Sequence, residues 1–350
     1  MQKRVYIVSL NFNPGHVSHM IASYQQFAEL GYLPYLYVDK LFDRFLPVET
    51  RRIFFRKHQP KQCAVAMFLF PSFHNLKEIL RFKRMKGCKI IYVFHEPLDK
   101  YSSYRKAGFS RMKMLKLRII NYINCLTVKW SDQVLLPSQR AVKYYEANPL
   151  YTNVHWHYLP LLYDDENDGT YMVDQRLYFS YIGTVASDHS FNAFLQFVRR
   201  AIRLDDLKDI KFLIATKSSV PMDDYMQEMI RSGRLVLVEG KPLSNAQINQ
   251  YYASSLAVWN TYERTTQSGV LANAFMFGTP AIVMKKNLSE FVEDGNEVIA
   301  IEDNRSYDEI LHAIQLIRDR FEDFSVTCRT RFLNTFYYRN YNQEMERILC

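Results

Sequence analysis

At 350 residues, 48% of them hydrophobic, with a mean hydropathy of -0.25, the chain is too long for one ordinary core and suits two domains. It contains no run of about 18 uncharged apolar residues, which excludes a transmembrane helix. Residues 1–160 carry 25 Lys plus Arg against 9 Asp plus Glu, leaving 20 against 27 for the rest, so a basic half precedes an acidic one. The first strand is predicted over residues 3–10, KRVYIVSL, whose short β-branched run without a cleavage pattern reads as a strand and not as a signal peptide, implying a cytoplasmic chain. A helix over residues 16–31 ends at Gly31, and YLPYLYVD at 32–39 is the next strand. Strand, helix and strand repeat at 63–70, 74–87 and 89–97. A long helix follows over 110–130, then a strand from 133 and a helix starting near Ser138. Residues 158–175 are rich in Pro, Gly and Asp and read as a connector. The alternation then resumes through LYFSYIGTV, IKFLIATK, LVLVEG and LAVWNT with helices between them, and residues 308–349 read as mostly helical. Such alternation builds parallel βαβ units, here two Rossmann-like domains in tandem over 1–160 and 161–325, followed by 326–350.

The most informative stretch is residues 265–298, TTQSGVLANAFMFGTPAIVMKKNLSEFVEDGNEV. Ser268 and Gly269 stand where a helix would begin, and their small size would let the first free backbone N–H groups approach an anion. Gly278 supplies a stop, Pro280 prevents continuation, and AIVM is a short buried strand. This segment resembles the donor-sugar signature of retaining glycosyltransferases of the GT-B fold. The usual form is a Glu, seven residues, Glu-Ala, a few residues, then Gly-Thr-Pro-Val. The second Glu falls on Asn273 and the first on Thr265, with Glu263 two places upstream as a substitute if the loop is longer. The resemblance implies an α/β GT-B architecture, two Rossmann-like domains facing across a cleft, with a final helix that crosses back to the first domain. It also implies a nucleotide-diphosphate sugar as donor and transfer with anomeric retention.

In open α/β sheets, ligands gather at the carboxyl ends of strands. Five such places carry candidate residues. Asn13, Pro14, Gly15 and His16 form the first βα turn; the resemblance places Gly15 near the donor diphosphate and Asn13 and His16 near the acceptor, the alternative being an ordinary turn. His95 and Glu96 end the strand IIYVF, where the resemblance implies a histidine acting on the transferred sugar and the pair offers a proton donor and acceptor; a surface capping pair is the alternative. After LYFSYIG the family carries Arg and, five residues on, Lys, which hold the diphosphate. Thr184 and His189 occupy those positions and supply less charge, so backbone groups or Lys217, after IKFLIAT, would share the load. Gly240 and Lys241 would meet the nucleotide base, or form a plain strand-ending turn. In the signature itself, Gln267, Ser268 and Gly269 would face the diphosphate, and Asn273 can hydrogen-bond ribose hydroxyls. Asp223 with Asp224 and Asp164 with Asp165 read as caps and solvated charges, and the five cysteines lack metal spacing, so neither a metal nor another cofactor is expected.

The helix at 110–130 bears on location. Leu115, Ile119, Tyr122 and Leu126 form a stripe expected in the core. The opposite side carries Lys113, Leu117 and Ile120, with Lys116 and Arg118 flanking it. Together with Arg51 and Arg52 in the basic run before Phe54, this second face reads as a contact with an anionic membrane surface, the alternative being a solvated face. No zinc-finger, RNP or helix-turn-helix pattern accompanies the charge, which argues against nucleic acid. The sequence therefore predicts a glycosyltransferase that works peripherally on the inner face of the membrane and adds a sugar to a lipid-linked or other glycan acceptor in surface-polysaccharide assembly. An inverting enzyme with His16 or Glu96 as base, a sugar-nucleotide epimerase, and a non-catalytic partner subunit are the alternatives.

Overall fold

The computed structural model describes residues 2–106, 108–151, 154–171, 175–263 and 267–350. They divide into two compact units, Met1–Asp164 with Phe336–Cys350, and Asp165–Thr335, against the expected boundaries at 160 and 325.

In the first unit the strands are β1 (Arg4–Ser9), β2 (Leu33–Val38), β3 (Arg52–Phe54), β4 (Val65–Phe68), β5 (Lys89–Val93), β6 (Gln133–Leu136) and β7 (Trp156–Tyr158). They pair in parallel in the order β3-β2-β1-β4-β5-β6-β7. Val5, Tyr6, Ile7 and Val8 are all buried. That unbroken apolar run is what a parallel strand covered on both faces requires. The helices are α1 (Val17–Glu29), α2 (Asn75–Lys83), α3 (Tyr101–Lys106), α4 (Arg111–Trp130) and α5 (Gln139–Glu146). Ser110 and Ser138 cap α4 and α5 by accepting from the N–H groups of Lys113 and Ala141. The chain's last stretch completes this unit: Glu29 of α1 accepts from the Tyr338 hydroxyl (2.7 Å), Arg339 Nε (2.8 Å) and Asn342 Nδ2 (3.1 Å).

The long helix α4 reverses the expected faces. Met112, Leu115, Ile119 and Tyr122 are 75, 53, 50 and 66% exposed, whereas Asn124, Thr127 and Val128 are buried and Leu117 and Ile120 are half-buried. The helix packs on α2 and β5, and small or polar residues at positions 124 and 127 allow close approach there. Size and hydropathy alone assign the larger apolar side chains to the core, which is why the sequence pattern misleads. Leu117 is accordingly withdrawn from the exposed face.

In the second unit the strands are β8 (Tyr178–Ile182), β9 (Lys211–Ala215), β10 (Leu235–Val238), β11 (Ser255–Asn260), β12 (Ala281–Met284) and β13 (Val298–Ile301), in the parallel order β10-β9-β8-β11-β12-β13. The helices are α6 (Phe191–Arg203), α7 (Asp224–Arg231), α8 (Asn245–Ala253), α9 (Gly269–Met276), α10 (Tyr307–Asp319) and α11 (Phe321–Thr335), after which α12 (Asn342–Leu349) belongs to the first unit. Phe179, Phe194, Phe197 and Trp259 anchor the second core. Helix α6 packs with α10, and α9 packs with α8 and α11.

The stop after α9 is built tightly. Gly278 has φ +64°, and a Cβ there would lie 2.5 Å from Ser325 Oγ and 3.0 Å from the Ser325 carbonyl oxygen of α11. Gly278→Ala therefore combines left-handed backbone strain with a steric clash, and a loss of about 2 to 4 kcal/mol of unfolding free energy is expected. Chemical denaturation of the variant checks this; an unchanged midpoint would show that α11 yields freely at that contact.

Candidate functional site

Three adjacent strands of the first unit deliver one aromatic and histidine cluster. Phe70 lies two residues beyond β4, His95 two beyond β5, and His16 in the turn after β1. The His16 ring lies flat on Phe70, with centroids 3.5 Å apart and planes 9° apart. His95 meets the Phe70 edge at 6.4 Å. Ser9 Oγ is 3.4 Å from His16 Nδ1, and Asn13 Nδ2 is 3.3 Å from His16 Nε2. The Asn13 side-chain Oδ1 accepts from the Gly15 N–H at 3.3 Å. That N–H is thus engaged locally, a correction to its expected availability for a diphosphate. Asn13 caps the short 3-10 turn Pro14–His16, and the local bond satisfies the turn's own geometry. Glu96, beside His95, is exposed.

His19 was not singled out by the sequence. It lies on α1, buried, with Nδ1 3.1 Å from the Leu162 carbonyl oxygen, Tyr163 at 4.5 Å and Phe70 at 5.8 Å. Burial lowers its pKa to about 4, helped by repulsion from His95 and opposed by the Leu162 hydrogen bond. The only available signal was its place three residues after His16 on the same helical face.

In the second unit the central strands β8 and β11 end beside each other. Thr184 accepts at its carbonyl from the Tyr181 hydroxyl (2.7 Å) and lies 3.0 Å from His189 Nδ1. The His189 ring stacks on Tyr262 at 4.2 Å and 16°. A Cβ on Gly183 would lie 3.7 Å from the Tyr262 hydroxyl, which also lies within hydrogen-bonding reach of Ser268. Burial raises the pKa of the Tyr262 phenol far above its usual range, so it remains a neutral donor. Tyr262 thus joins the β8 loop to the start of α9. It was missed because it sits between the strand LAVWNT and the signature, where no motif marks it.

Ser268 and Gln267 are buried, and Gly269 opens α9. The Ser268 hydroxyl donates to Asn260 Oδ1 at 2.8 Å and makes no capping bond to α9. Asn273 Nδ2, expected at ribose hydroxyls, donates to the Gly269 carbonyl a helical turn earlier at 2.8 Å. Lys217, Gly240 and Lys241 are exposed at the ends of β9 and β10, on the far side of β8 from β11. Glu263 follows Tyr262 and donates its N–H to the Asp188 carbonyl at 2.8 Å; its carboxylate pairs with Lys286 Nζ at 2.5 Å, approaches Asn304 Nδ2 at 3.5 Å, and lines a cavity of about 650 Å³ with Val185, Ser190, Asn192 and Arg305. Thr265 lies outside the described residues.

The positions expected at a membrane are distributed as follows. Arg51 Nη1 donates to the Tyr24 hydroxyl (3.3 Å), and Arg52 Nε pairs with Asp43 at 3.1 Å on the edge strand β3. Phe55 beside them is buried. Lys113, Lys116 and Arg118 are exposed on α4, with the Lys113 ammonium 5.2 Å from the Phe109 ring and the Arg118 guanidinium 5.1 Å from Tyr101.

Two parallel-sheet Rossmann-like units, each with its candidate groups at strand carboxyl ends, define the GT-B architecture. A family model described as glycosyl transferases group 1 matches residues 176–319, essentially the second unit. The chain is therefore a glycosyltransferase of GT-B fold. A search of curated protein sequences finds no match to it. Among solved structures, it is similar to sucrose-phosphate synthase from Thermosynechococcus elongatus, with TM-score 0.69, 12% identity, and 99% of this chain and 98% of that one covered. It also resembles Anabaena HepE in complex with UDP and glucose, with TM-score 0.65, 14% identity and 99% of each chain covered. A glycosyltransferase from Rickettsia africae has TM-score 0.66 at 10% identity, over 99% of this chain and 98% of that one.

The low pKa of His19 makes a pH prediction. The buried ring is neutral in the folded chain down to about pH 4, whereas the unfolded ring protonates near its ordinary value of about 6.5. Its contribution is complete above about pH 6.5 and is lost as pH falls from there towards 4. Denaturation midpoints measured across that range should fall, and a folded His19→Asn variant should fall less steeply. Equal slopes would place the acid sensitivity elsewhere.

Proposed function

We propose that the protein moves a sugar from a nucleotide-diphosphate donor to a lipid-linked glycan acceptor at a membrane surface, in surface-polysaccharide assembly, with anomeric retention. The observation that carries the donor half is the juxtaposition of the first turn of α9 with His189, Tyr262 and Ser268 on neighbouring strand ends. The backbone N–H groups of that turn and the Tyr262 hydroxyl supply hydrogen-bond donors for a leaving diphosphate, and His189, its Nδ1 turned to the Thr184 carbonyl, presents Nε2 beside them. Its charge is met in this reading by those donors without a divalent cation. The complex of HepE with UDP and glucose supports a nucleotide-sugar donor.

Retention follows the family that the signature resembles. His95 is assigned to the transferred sugar, where an imidazole held near Phe70 can hydrogen-bond a hydroxyl as charge develops. Asn13 and His16 are assigned to the acceptor. The membrane half of the reading rests on α4, whose exposed stripe of Met112, Leu115, Ile119 and Tyr122 runs beside Arg111, Lys113, Lys116 and Arg118. Apolar side chains flanked by cations suit an interface with anionic headgroups. No helix among the described residues is long and apolar enough to cross a membrane.

Two variants separate donor binding from chemistry. Gly269→Asp should abolish nucleotide-sugar binding in a folded protein, because a carboxylate at the helix start blocks the N–H groups and repels the diphosphate. His95→Ala should leave donor affinity nearly unchanged and lower kcat more than tenfold, or about 1.4 kcal/mol of barrier. Titration calorimetry and initial rates decide both, and unchanged donor affinity in the folded Gly269 variant would remove α9 from the donor site.

Membrane binding is tested by sedimentation with vesicles. Phosphatidylglycerol vesicles should bind the protein, phosphatidylcholine vesicles should bind it poorly, and salt should release it. Each basic residue near the surface contributes about 1 kcal/mol, so reversing Lys113, Lys116 and Arg118 together should weaken binding by at least a hundredfold. Equal binding to both vesicle types would rule out the bilayer as the partner of the basic unit.

A further inference from the structure

Between the loop after β4 and the side of α4 runs a groove of about 140 Å³, lined by Pro71, Phe73, Ile120 and Ile123 with Asn11 and Lys116. Phe73 stands 52% exposed at its edge. We propose that this groove seats a short segment of the hydrocarbon chain of a phosphate-bearing acceptor lipid, with the Lys116 ammonium pairing to the phosphate. The proposal deepens the lipid-acceptor reading above and rests on it.

Four observations favour that occupant. The groove's apolar side chains surround a volume close to the roughly 150 Å³ apolar cavity that accepts a benzene molecule, so one branched unit of a single chain fits and a two-chain phospholipid does not. The groove shares α4 with the exposed apolar stripe, since Leu115, Ile119 and Tyr122 immediately precede Lys116, Ile120 and Ile123 in sequence and stand about 100° around the helix. A chain leaving the groove would therefore continue over apolar surface. Helix α4 carries five basic residues, Arg111, Lys113, Lys116, Arg118 and Lys129, and no acidic one, which complements a phosphate. Asn11 and Pro71 follow β1 and β4, the same strand ends that present His16 and Phe70. A chain anchored here holds the adjoining headgroup at the end of the sheet where the candidate chemistry lies.

The test uses the full-length protein and a farnesyl phosphate carrying a diazirine near the phosphate end, with peptide mapping after photolysis. Labelling is expected at residues 71–73 and 116–124, displaced by unlabelled farnesyl phosphate and not by phosphatidylglycerol vesicles. Ile123→Trp, which fills the groove, and Phe73→Ser, at an exposed edge where folding is not at stake, should each cut labelling at least tenfold while thermal stabilisation by nucleotide sugar persists. Lys116→Gln should weaken farnesyl phosphate binding and leave farnesol unaffected. Labelling confined to the outer stripe, or undiminished in Phe73→Ser, would overturn the proposal. Displacement by the vesicles would assign the groove to bulk lipid and overturn it equally. Vesicle binding with an unlabelled groove would sink the groove alone. A labelled groove in a protein that ignores anionic vesicles would sink the membrane reading and leave the groove standing.

Discussion

The second unit depends on a half-buried positive charge. Arg176 donates to the carbonyl of Tyr252, in the last turn of α8, to that of Ser255, at the start of β11, to the Phe277 carbonyl at the end of α9, and to the Thr279 hydroxyl. Burial lowers its pKa to about 10, partly opposed by Cys328 and Glu322, and it remains charged at neutral pH. The ends of two helices carry partial negative charge, so the guanidinium finds compensation there without a direct carboxylate bond being required. The planar fork also fixes the Phe277–Gly278–Thr279 turn, where the close approach of Ser325 leaves room only for a glycine. Helix α9 has eight residues, about 12 Å of rise, so a displacement of its clamped end is carried to Ser268 and Gly269 at the other. The Gly-Thr-Pro sequence thus serves position first. Its relation to chemistry is through the helix it holds.

At the opposite end of α9, the residues that replace the family's cations form a coherent set. His189 is oriented by the Thr184 carbonyl and by stacking on Tyr262, and Tyr262 reaches towards Ser268. In the proposed donor site, oriented hydrogen-bond donors would need little reorganisation when charge appears on the leaving group. The substitution of Thr and His for Arg and Lys therefore exchanges long-range attraction for fixed dipoles. A donor site of this kind binds less by steering and more by fit, so its affinity should depend less on ionic strength than that of a site built from guanidinium and ammonium groups.

The fold was largely legible in the sequence, because buried parallel strands write themselves as unbroken apolar runs and βα turns as Gly, Pro and Asn. KRVYIVSL, KIIYVFHEP and LAVWNT each contain a strand of the observed sheets. The stop of α9 was readable for the same reason: Gly278 is a site where backbone demands outrank side-chain identity. Legibility failed where a side chain's partner is distant in sequence. Nothing near Glu263 announces Lys286 and Asn304, nothing near His19 announces the Leu162 carbonyl, and Tyr262 has no motif of its own. It failed as well where a rule assumes that large apolar residues turn inward. In α4 the inward face contains Asn124, Thr127 and Val128, and Leu115 and Ile119 face outward.

That inversion has a physical consequence. An exposed stripe of four large apolar residues on one helix leaves roughly the area of a small interface in contact with water, and single exposed hydrophobes need no explanation whereas a contiguous row does. A protein interface depletes charge at its core and keeps a polar rim. Here the flanks hold Arg111, Lys113, Lys116 and Arg118 and no acid, so a second copy of the same face would bring like charges together. An anionic interface relieves both problems at once: apolar side chains leave water while each ammonium or guanidinium meets a phosphate. The helix would gain little from either contribution alone, since a narrow apolar stripe binds weakly to neutral lipid and screened surface charge binds weakly at physiological salt. The two occur on adjacent faces of one helix capped by Ser110, and their coincidence is the physical ground for the proposed membrane contact.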